Sequence, residues 1–259
     1  MTERVLVTGA SSGIGAAFAR ALAARGDDLV VVARDADRLD ALAVEVRERD
    51  GVVCEVLAAD LTDRAALEGV AARVSDEASP IDLLVNNAGF GTSGRFASLP
   101  LEPEQREIEL NVVALHRLTH AALVPMVPRG HGGVINISSI GGYQPGPGFA
   151  TYSATKAFVS SFTQAIHEEL SGTGVKAMVV CPGLTRTEFQ ARAGADEIRR
   201  LPDFLWQEAD EVASSALRDY ERGRAVSVPG PLNLATAAFA AVIPGIVGRK
   251  VAAGFMRDR

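Results

Sequence analysis

The chain is 259 residues long, 47% hydrophobic and 22% charged, a balance that suits a soluble globular protein with one large α/β domain. Its net charge of −6 leaves no surplus of cations to neutralise phosphates, so no nucleic-acid partner is expected. The two cysteines, Cys54 and Cys181, lie in apolar runs without metal-ligand or Cys-x-x-Cys spacing, and read as small buried hydrophobes.

Met1-Thr2-Glu3-Arg4 leads straight into an apolar run and shows no signal-peptide pattern, which predicts a reducing, cytoplasmic setting. From there, β-branched runs alternate with helical patterns. Strands are predicted at Arg4–Thr8, Leu29–Ala33, Val52–Leu57, Ile81–Asn86, Val134–Ser138, Val175–Cys181 and Ala225–Val228. Between them, helices are predicted at Gly13–Arg25, Ala36–Asp50, Arg64–Glu77, Pro103–Met126, Thr151–Leu170 and Ala209–Arg222. Continuously apolar strands that alternate with helices predict an α/β, Rossmann-like, doubly wound parallel sheet of about seven strands. No linker or repeat interrupts it, so residues 1–228 form a single cofactor-binding catalytic domain and 229–259 an apolar extension packed on it or at an interface.

The first strand runs into Gly9-Ala10-Ser11-Ser12-Gly13-Ile14-Gly15, where a helix opens. Glycines let the backbone approach a pyrophosphate, and a helix N-terminus offers it free N–H groups. Gly9, Ser11, Ser12, Gly13, Ile14 and Gly15 are therefore candidate cofactor residues, in the variant spacing Thr-Gly-x-x-x-Gly-x-Gly. The second strand ends Ala33-Arg34-Asp35; an arginine there suits the 2′-phosphate of NADP, whereas an acid suits the 2′-hydroxyl of NAD. Arg34 predicts NADP(H), with NAD(H) as the alternative if Asp35 takes the strand-end position. Asp60-Leu61 and Asn86-Asn87-Ala88-Gly89 fall at the same sheet edge, which adds Asp60, Leu61, Asn87, Ala88 and Gly89. Asp60 reads equally as a helix cap.

Tyr152 and Lys156 stand at i and i+4 on one helix face, so an ammonium can sit near a phenol and favour its ionised form. Ser139 ends the fifth strand and can donate to a carbonyl oxygen. Asn111 is a poor helix former in a favourable run, which a water relay would explain. His116 and His120 share a helix face but lack a third ligand, so no metal is expected. Asn136-Ile137-Ser138 matches a glycosylation sequon only by chance.

Thr8-Gly9-x-x-x-Gly13-Ile14-Gly15, Asn86-Asn87-Ala88-Gly89, Asn111, Ser139, Tyr152-x-x-x-Lys156 and Pro182-Gly183 together resemble the short-chain dehydrogenase/reductase superfamily over residues 4 to about 228. The resemblance implies hydride transfer between a nicotinamide cofactor and a carbonyl or alcohol. It implies Tyr152 as general acid/base and Ser139, thirteen residues earlier, as the group that positions substrate oxygen. Lys156 would bind the nicotinamide ribose, Asn111 hold a relay water, and Pro182, Gly183 and Thr187 contact the cofactor. Such enzymes pair through the long helices, which predicts a homodimer or homotetramer.

Leu184, Phe189, Leu201, Phe204, Leu205 and Trp206, with Phe90, Phe96, Tyr143 and Phe149, predict an apolar pocket for a hydrophobic ketone, aldehyde or secondary alcohol. No charge occurs from Ala225 to Gly248, but Pro229, Pro231 and Pro244 break that run, so membrane contact is not expected. Two other readings stay open: an NADP-binding regulator without turnover, and a membrane-associated lipid-modifying reductase.

Overall fold

A computed structural model of the chain describes residues 2–195, 198 and 201–242. Seven strands form one sheet: β1 (Arg4–Thr8), β2 (Asp28–Ala33), β3 (Cys54–Ala58), β4 (Leu83–Asn86), β5 (Gly132–Ile137), β6 (Val175–Val180) and β7 (Val226–Ser227). Their order is β3-β2-β1-β4-β5-β6-β7, and every pairing is parallel. The helices are α1 (Gly13–Ala23), α2 (Ala36–Asp50), α3 (Arg64–Val74), α4 (Leu101–Ile108), α5 (Leu115–Arg129), α6 (Ala150–Glu169), α7 (Phe189–Arg192), α8 (Ala209–Glu221) and α9 (Pro231–Val242).

Strand residues alternate between faces, and both faces here are apolar. Val5, Val7, Leu29 and Val31 pack under Phe18 of α1, Leu39 of α2 and Val212 of α8. Leu6, Val30, Val32 and Leu84 face the other way, against Val70 of α3 and Leu118 and Met126 of α5. Helices on both faces bury most of the central strands, so continuous apolar runs are what the middle of this sheet requires, while the edge strand β3 is only partly buried.

Asparagines between the layers fix the middle of the sheet. Asn86 Nδ2 donates to Asn136 Oδ1 at 2.9 Å and to Thr119 Oγ1 at 3.0 Å; Asn136 Nδ2 donates to Thr163 Oγ1 at 2.9 Å. The sequon asparagine is thus a core hydrogen-bonding residue joining β4, β5, α5 and α6.

The predicted helix Pro103–Met126 is longer than expected and interrupted. It runs continuously from Leu101 to Arg129, with a π-helical segment at Glu109–Ala114 centred on Asn111. By length and composition alone this stretch is long enough to cross a membrane, yet Leu118, Ala122 and Met126 lie in the core. Of the apolar tail, α9 packs against the 3-10 turn Ile140–Gly142, and Gln144 Nε2 donates to the Ala240 carbonyl. Residues 243–259, which include the rest of the uncharged run, lie outside the described residues, as does most of the charged patch at 196–200.

Candidate active site

The chain leaves β1 toward β2 on one side and has β4 on the other, so a crevice opens at the strand C-termini between them. A cleft of about 1510 Å³ occupies it. Gly9, Ser11, Ser12, Gly13, Ile14, Arg34, Asp60, Leu61, Asn87, Ala88, Gly89, Ser139, Tyr152, Lys156, Pro182, Gly183 and Thr187 all line that cleft. Two predicted residues, Gly15 and Asn111, stand behind its wall.

At the β1 end, Gly9 and Gly13 adopt φ of 66° and 56°, a region that side chains with a Cβ rarely enter. A Cβ on Gly9 would lie 2.7 Å from the Asn87 amide, and one on Gly15 would strike the Gly9 carbonyl. Asn87 Nδ2 donates to the carbonyls of Thr8 at 2.9 Å and Gly9 at 3.2 Å, so this asparagine braces the loop. Thr8 Oγ1 accepts from the N–H groups of Asn87 and Ala88, each at 3.0 Å. Ser12 begins α1 in an extended conformation, and its side chain makes no capping bond, so the helix N-terminus faces the cleft uncapped. Loop and helix end fit a pyrophosphate: close-approaching backbone, free donors and a positive dipole end.

At the end of β2, Asp35 is committed elsewhere: it caps α2 by accepting from Arg38 N–H and pairs with the Arg38 guanidinium at 3.4 Å. Arg38 also makes a two-pronged pair with Glu188 at 2.9 and 3.0 Å. Arg34, by contrast, has a side chain 68% exposed and only a loose pair with Asp60 at 4.0 Å. Asp60 accepts from the Thr62 N–H and hydroxyl and from Arg106, so it is part brace and part cleft wall. Burial opposes its charge, but those bonds and the two arginines hold its carboxyl below the usual range.

At the β5 end, the two adjacent serines point apart, as strand alternation demands. Ser138 Oγ donates to the Lys156 carbonyl at 2.7 Å and meets Ser160 at 2.8 Å, inside the protein. Ser139 lines the cleft, accepts from Gly141 N–H at 3.0 Å and hydrogen-bonds Tyr152. Lys156 Nζ donates to the Ile137 carbonyl at 2.9 Å and lies 5.8 Å from the Tyr152 ring centre. Asn111 spends its side chain on the loop after β4: Nδ2 donates to Phe90 O at 2.8 Å and Thr155 Oγ1 at 3.1 Å, and Oδ1 accepts from Phe90 N–H.

The electrostatics differ from the sequence expectation. Burial pushes the Tyr152 phenol up to about 12; the Ser139 bond works against this and the Glu107 charge adds to it. Burial also pushes Lys156 down to about 8, with Glu107 opposing. Among the chain's own groups, desolvation outweighs the Ser139 hydrogen bond, so the phenol is held protonated.

The expected apolar pocket divides. Phe90, Phe149, Leu184 and Phe189 line the cleft, with the Phe189 ring 5.3 Å from that of Tyr152. Phe96 and Phe204 are instead exposed, at 60% and 75%, and Leu201 also faces outward. Leu205 and Trp206 are likewise not in the cleft wall, and Trp206 packs beneath Arg186. Tyr143 hydrogen-bonds Cys181 in a third small core. Sequence reasoning missed Gln144, which lines the cleft, and the buried Glu104 and Glu107 behind it; polar residues in a helical pattern read as a solvated face. His116 stacks on Phe162 at 5.2 Å.

Residues 3–198 match the family model described as short chain dehydrogenase. Sulfoacetaldehyde reductase 2 of Chromohalobacter salexigens is 37% identical over 200 residues, covering 76% of this chain and 79% of that protein. A short-chain dehydrogenase from Sphingobium yanoikuyae, solved in complex with NADPH, is 43% identical, with a TM-score of 0.85 over 99% of this chain and 96% of that one. The bulky-bulky ketone specific alcohol dehydrogenase from Comamonas testosteroni is 35% identical, with a TM-score of 0.79 over 93% and 95%.

Proposed function

The chain belongs to the short-chain dehydrogenase family and is an NAD(P)-dependent oxidoreductase; we propose that it reduces a hydrophobic ketone or aldehyde with NADPH, Tyr152 acting as general acid. The observation that carries this reading is the Ser139–Tyr152–Lys156 group, brought to one wall of a cleft whose other end is a glycine cradle and an uncapped helix terminus.

The nicotinamide cofactor supplies or accepts the hydride. In the proposed mechanism Gly9, Gly13 and the α1 N-terminus would hold its phosphates, and Arg34, the arginine at the β2 end whose guanidinium is only loosely paired with Asp60, would take the 2′-phosphate. Ser139 donates to the carbonyl oxygen and polarises it. Tyr152, held protonated by burial, delivers its phenolic proton to the same oxygen as negative charge develops. Lys156 binds ribose hydroxyls and re-protonates the phenol by way of a water. With the Asn111 amide already engaged, its backbone carbonyl in the π-helical segment is the group left to hold that water. In the oxidative direction the phenol must ionise, and its raised pKa disfavours that step.

Phe90, Phe149, Leu184 and Phe189 beside Tyr152 favour an apolar substrate. The ketone specificity stated for the Comamonas relative supports the same class. Exposed Val113, Val124 and Phe158 on the π-helical segment, α5 and α6 support a homodimer or homotetramer built through these helices. A cofactor titration followed by a carbonyl screen tests the reading. Tyr152→Phe is expected to keep NADPH affinity within about twofold while kcat falls by roughly 10² to 10⁴; retained turnover would remove the tyrosine from this role.

A further inference from the structure

Two carboxylates that the proposed chemistry leaves unused lie behind Tyr152 and Lys156. Glu104 and Glu107 stand one turn apart on α4, exposed by only 4% and 0%. Both meet a single hydroxyl: Thr92 Oγ1 contacts Glu104 Oε1 and lies 2.7 Å from Glu107 Oε2. Thr92 N–H also donates to Glu107 Oε2 at 2.9 Å, and Thr151 Oγ1 donates to Glu104 Oε2. The second oxygen of Glu107 is buried without a partner.

Proton counting limits how this cluster can be charged. A threonine hydroxyl has one hydrogen and donates to one acceptor. Two carboxyl oxygens facing the same Oγ1 are both satisfied only if one carboxyl group carries a proton and donates it to that oxygen. Both oxygens of Glu104 have hydroxyl partners, whereas Glu107 is the more deeply buried and one of its oxygens has none, so the proton is assigned to Glu107. Burial pushes the Glu107 carboxyl up to about 7, against the Thr92 bonds and with help from the Glu104 charge.

The cluster grips the site from two sides. Thr151 immediately precedes Tyr152. Thr92 closes a loop whose Gly89 passes Lys156 Nζ and whose Gly91 lies against the Tyr152 and Phe189 rings; a Cβ on Gly91 would sit 3.0 Å from both. We propose that Glu107, protonated and joined through Thr92 to Glu104, is a positioning residue that holds the Tyr152 phenol in place, and that loss of its proton loosens the hold. This rests on the reading of Tyr152 as general acid. The titratable groups facing Glu107 are Glu104 on its own helix and Lys156 and Tyr152 on α6, with Cys181, just past the end of β6, facing those two. Because the folded pKa lies above the ordinary 4.5, the closed cluster is complete at low pH and is lost as pH rises through about 7.

Two measurements test it. In the ligand-free protein with ¹³C-labelled glutamate, one side-chain carboxyl is expected to titrate near pH 7 and to be missing from Glu107→Gln. In the NADPH-loaded enzyme, kcat for ketone reduction is expected to fall about threefold between pH 6 and 7.5 with KM for NADPH unchanged. Glu107→Gln, which keeps the hydrogen bonds without the titration, should lack that fall, and Glu107→Met should lose at least tenfold in kcat at pH 6. A Glu107 carboxyl titrating near 4.5, or the same fall in Glu107→Gln, would overturn the proposal. Should Glu107→Met not fold, the comparison of Glu107→Gln with wild type decides. A carboxyl at pH 7 in a protein that reduces no carbonyl would overturn the reductase reading, and the positioning role with it, but not the shared proton.

Discussion

Replacing Arg34 by alanine should remove most of the preference for the phosphorylated cofactor. In the free protein its guanidinium is only loosely paired, 4.0 Å from Asp60 on a side chain 68% exposed. An ion pair at that exposure is worth about 0–1 kcal/mol. A charge-assisted bond to a phosphate is worth about 1.5–3 kcal/mol. The net gain on binding NADPH is therefore roughly 0.5–3 kcal/mol, so Arg34→Ala should weaken NADPH by roughly 2- to 160-fold. NADH, which has no 2′-phosphate, should bind within about twofold of wild type. Arg38 cannot readily substitute, because Glu188 and Asp35 already hold its guanidinium. Titration calorimetry with both cofactors on both proteins measures the four constants. Equal losses for NADPH and NADH, or no loss for NADPH, would refute the assignment of the 2′-phosphate to Arg34.

Two further outcomes are expected. Lys156 has its folded pKa lowered from 10.5 to about 8, so the unfolded chain binds more protons above pH 8 and stability should rise with pH in that region. The buried thiols of Cys54 and Cys181 have raised pKa values and act in the opposite direction. The lysine is therefore read as a difference: between pH 8 and 9.5 the unfolding free energy of ligand-free wild type should gain on that of Lys156→Met by at most about 1 kcal/mol per pH unit, and a difference that does not change with pH would assign the effect elsewhere. Asn136→Ala strands the Asn86 amide and Thr163 hydroxyl inside the core and should cost about 2–4 kcal/mol, read by thermal or urea unfolding. A cost below about 1 kcal/mol would mean the asparagine network does not hold the middle of the sheet.

The parts of the site that were legible in the sequence are those whose chemistry depends on local spacing. Strand, glycine loop and helix follow each other within residues 4–23, and the Tyr152-to-Lys156 interval is set by one helical turn. Asn111 announced itself as a residue that does not favour a helix, and the π-helical segment shows why it is there. Ser139 was legible from its spacing to Tyr152 in the family resemblance, and the physical reason, that its neighbour Ser138 turns inward to the Lys156 carbonyl, appears only in three dimensions. Asp35, ambiguous in the sequence, became a helix cap once β2 was seen to end at Ala33. Glu104 and Glu107 were illegible because their burial depends on a loop folding back from β4, which no periodicity in α4 encodes. The lid aromatics were half misassigned for a related reason: in an irregular segment nothing in the order of residues says which side faces inward. Phe189 turned to Tyr152, and Phe204 turned to solvent.

The packing of α9 against the turn after Ser139 has a consequence for how new specificities arise. The stretch shared with the family, residues 3–198, contains every group assigned to chemistry and cofactor binding. Behind Gln144, on the substrate side, stands a helix from outside that stretch, tied to it by the Gln144–Ala240 bond, while Asn233 anchors it to Gln207 and Pro229. Changes in α9 can move that backing wall without touching the Ser139–Tyr152–Lys156 group or the glycine cradle. Part of the backing of the cleft thus lies on a length of chain separate from the reacting group, and grafting α9 of a relative is expected to shift that backing while leaving the Ser139–Tyr152–Lys156 group in place.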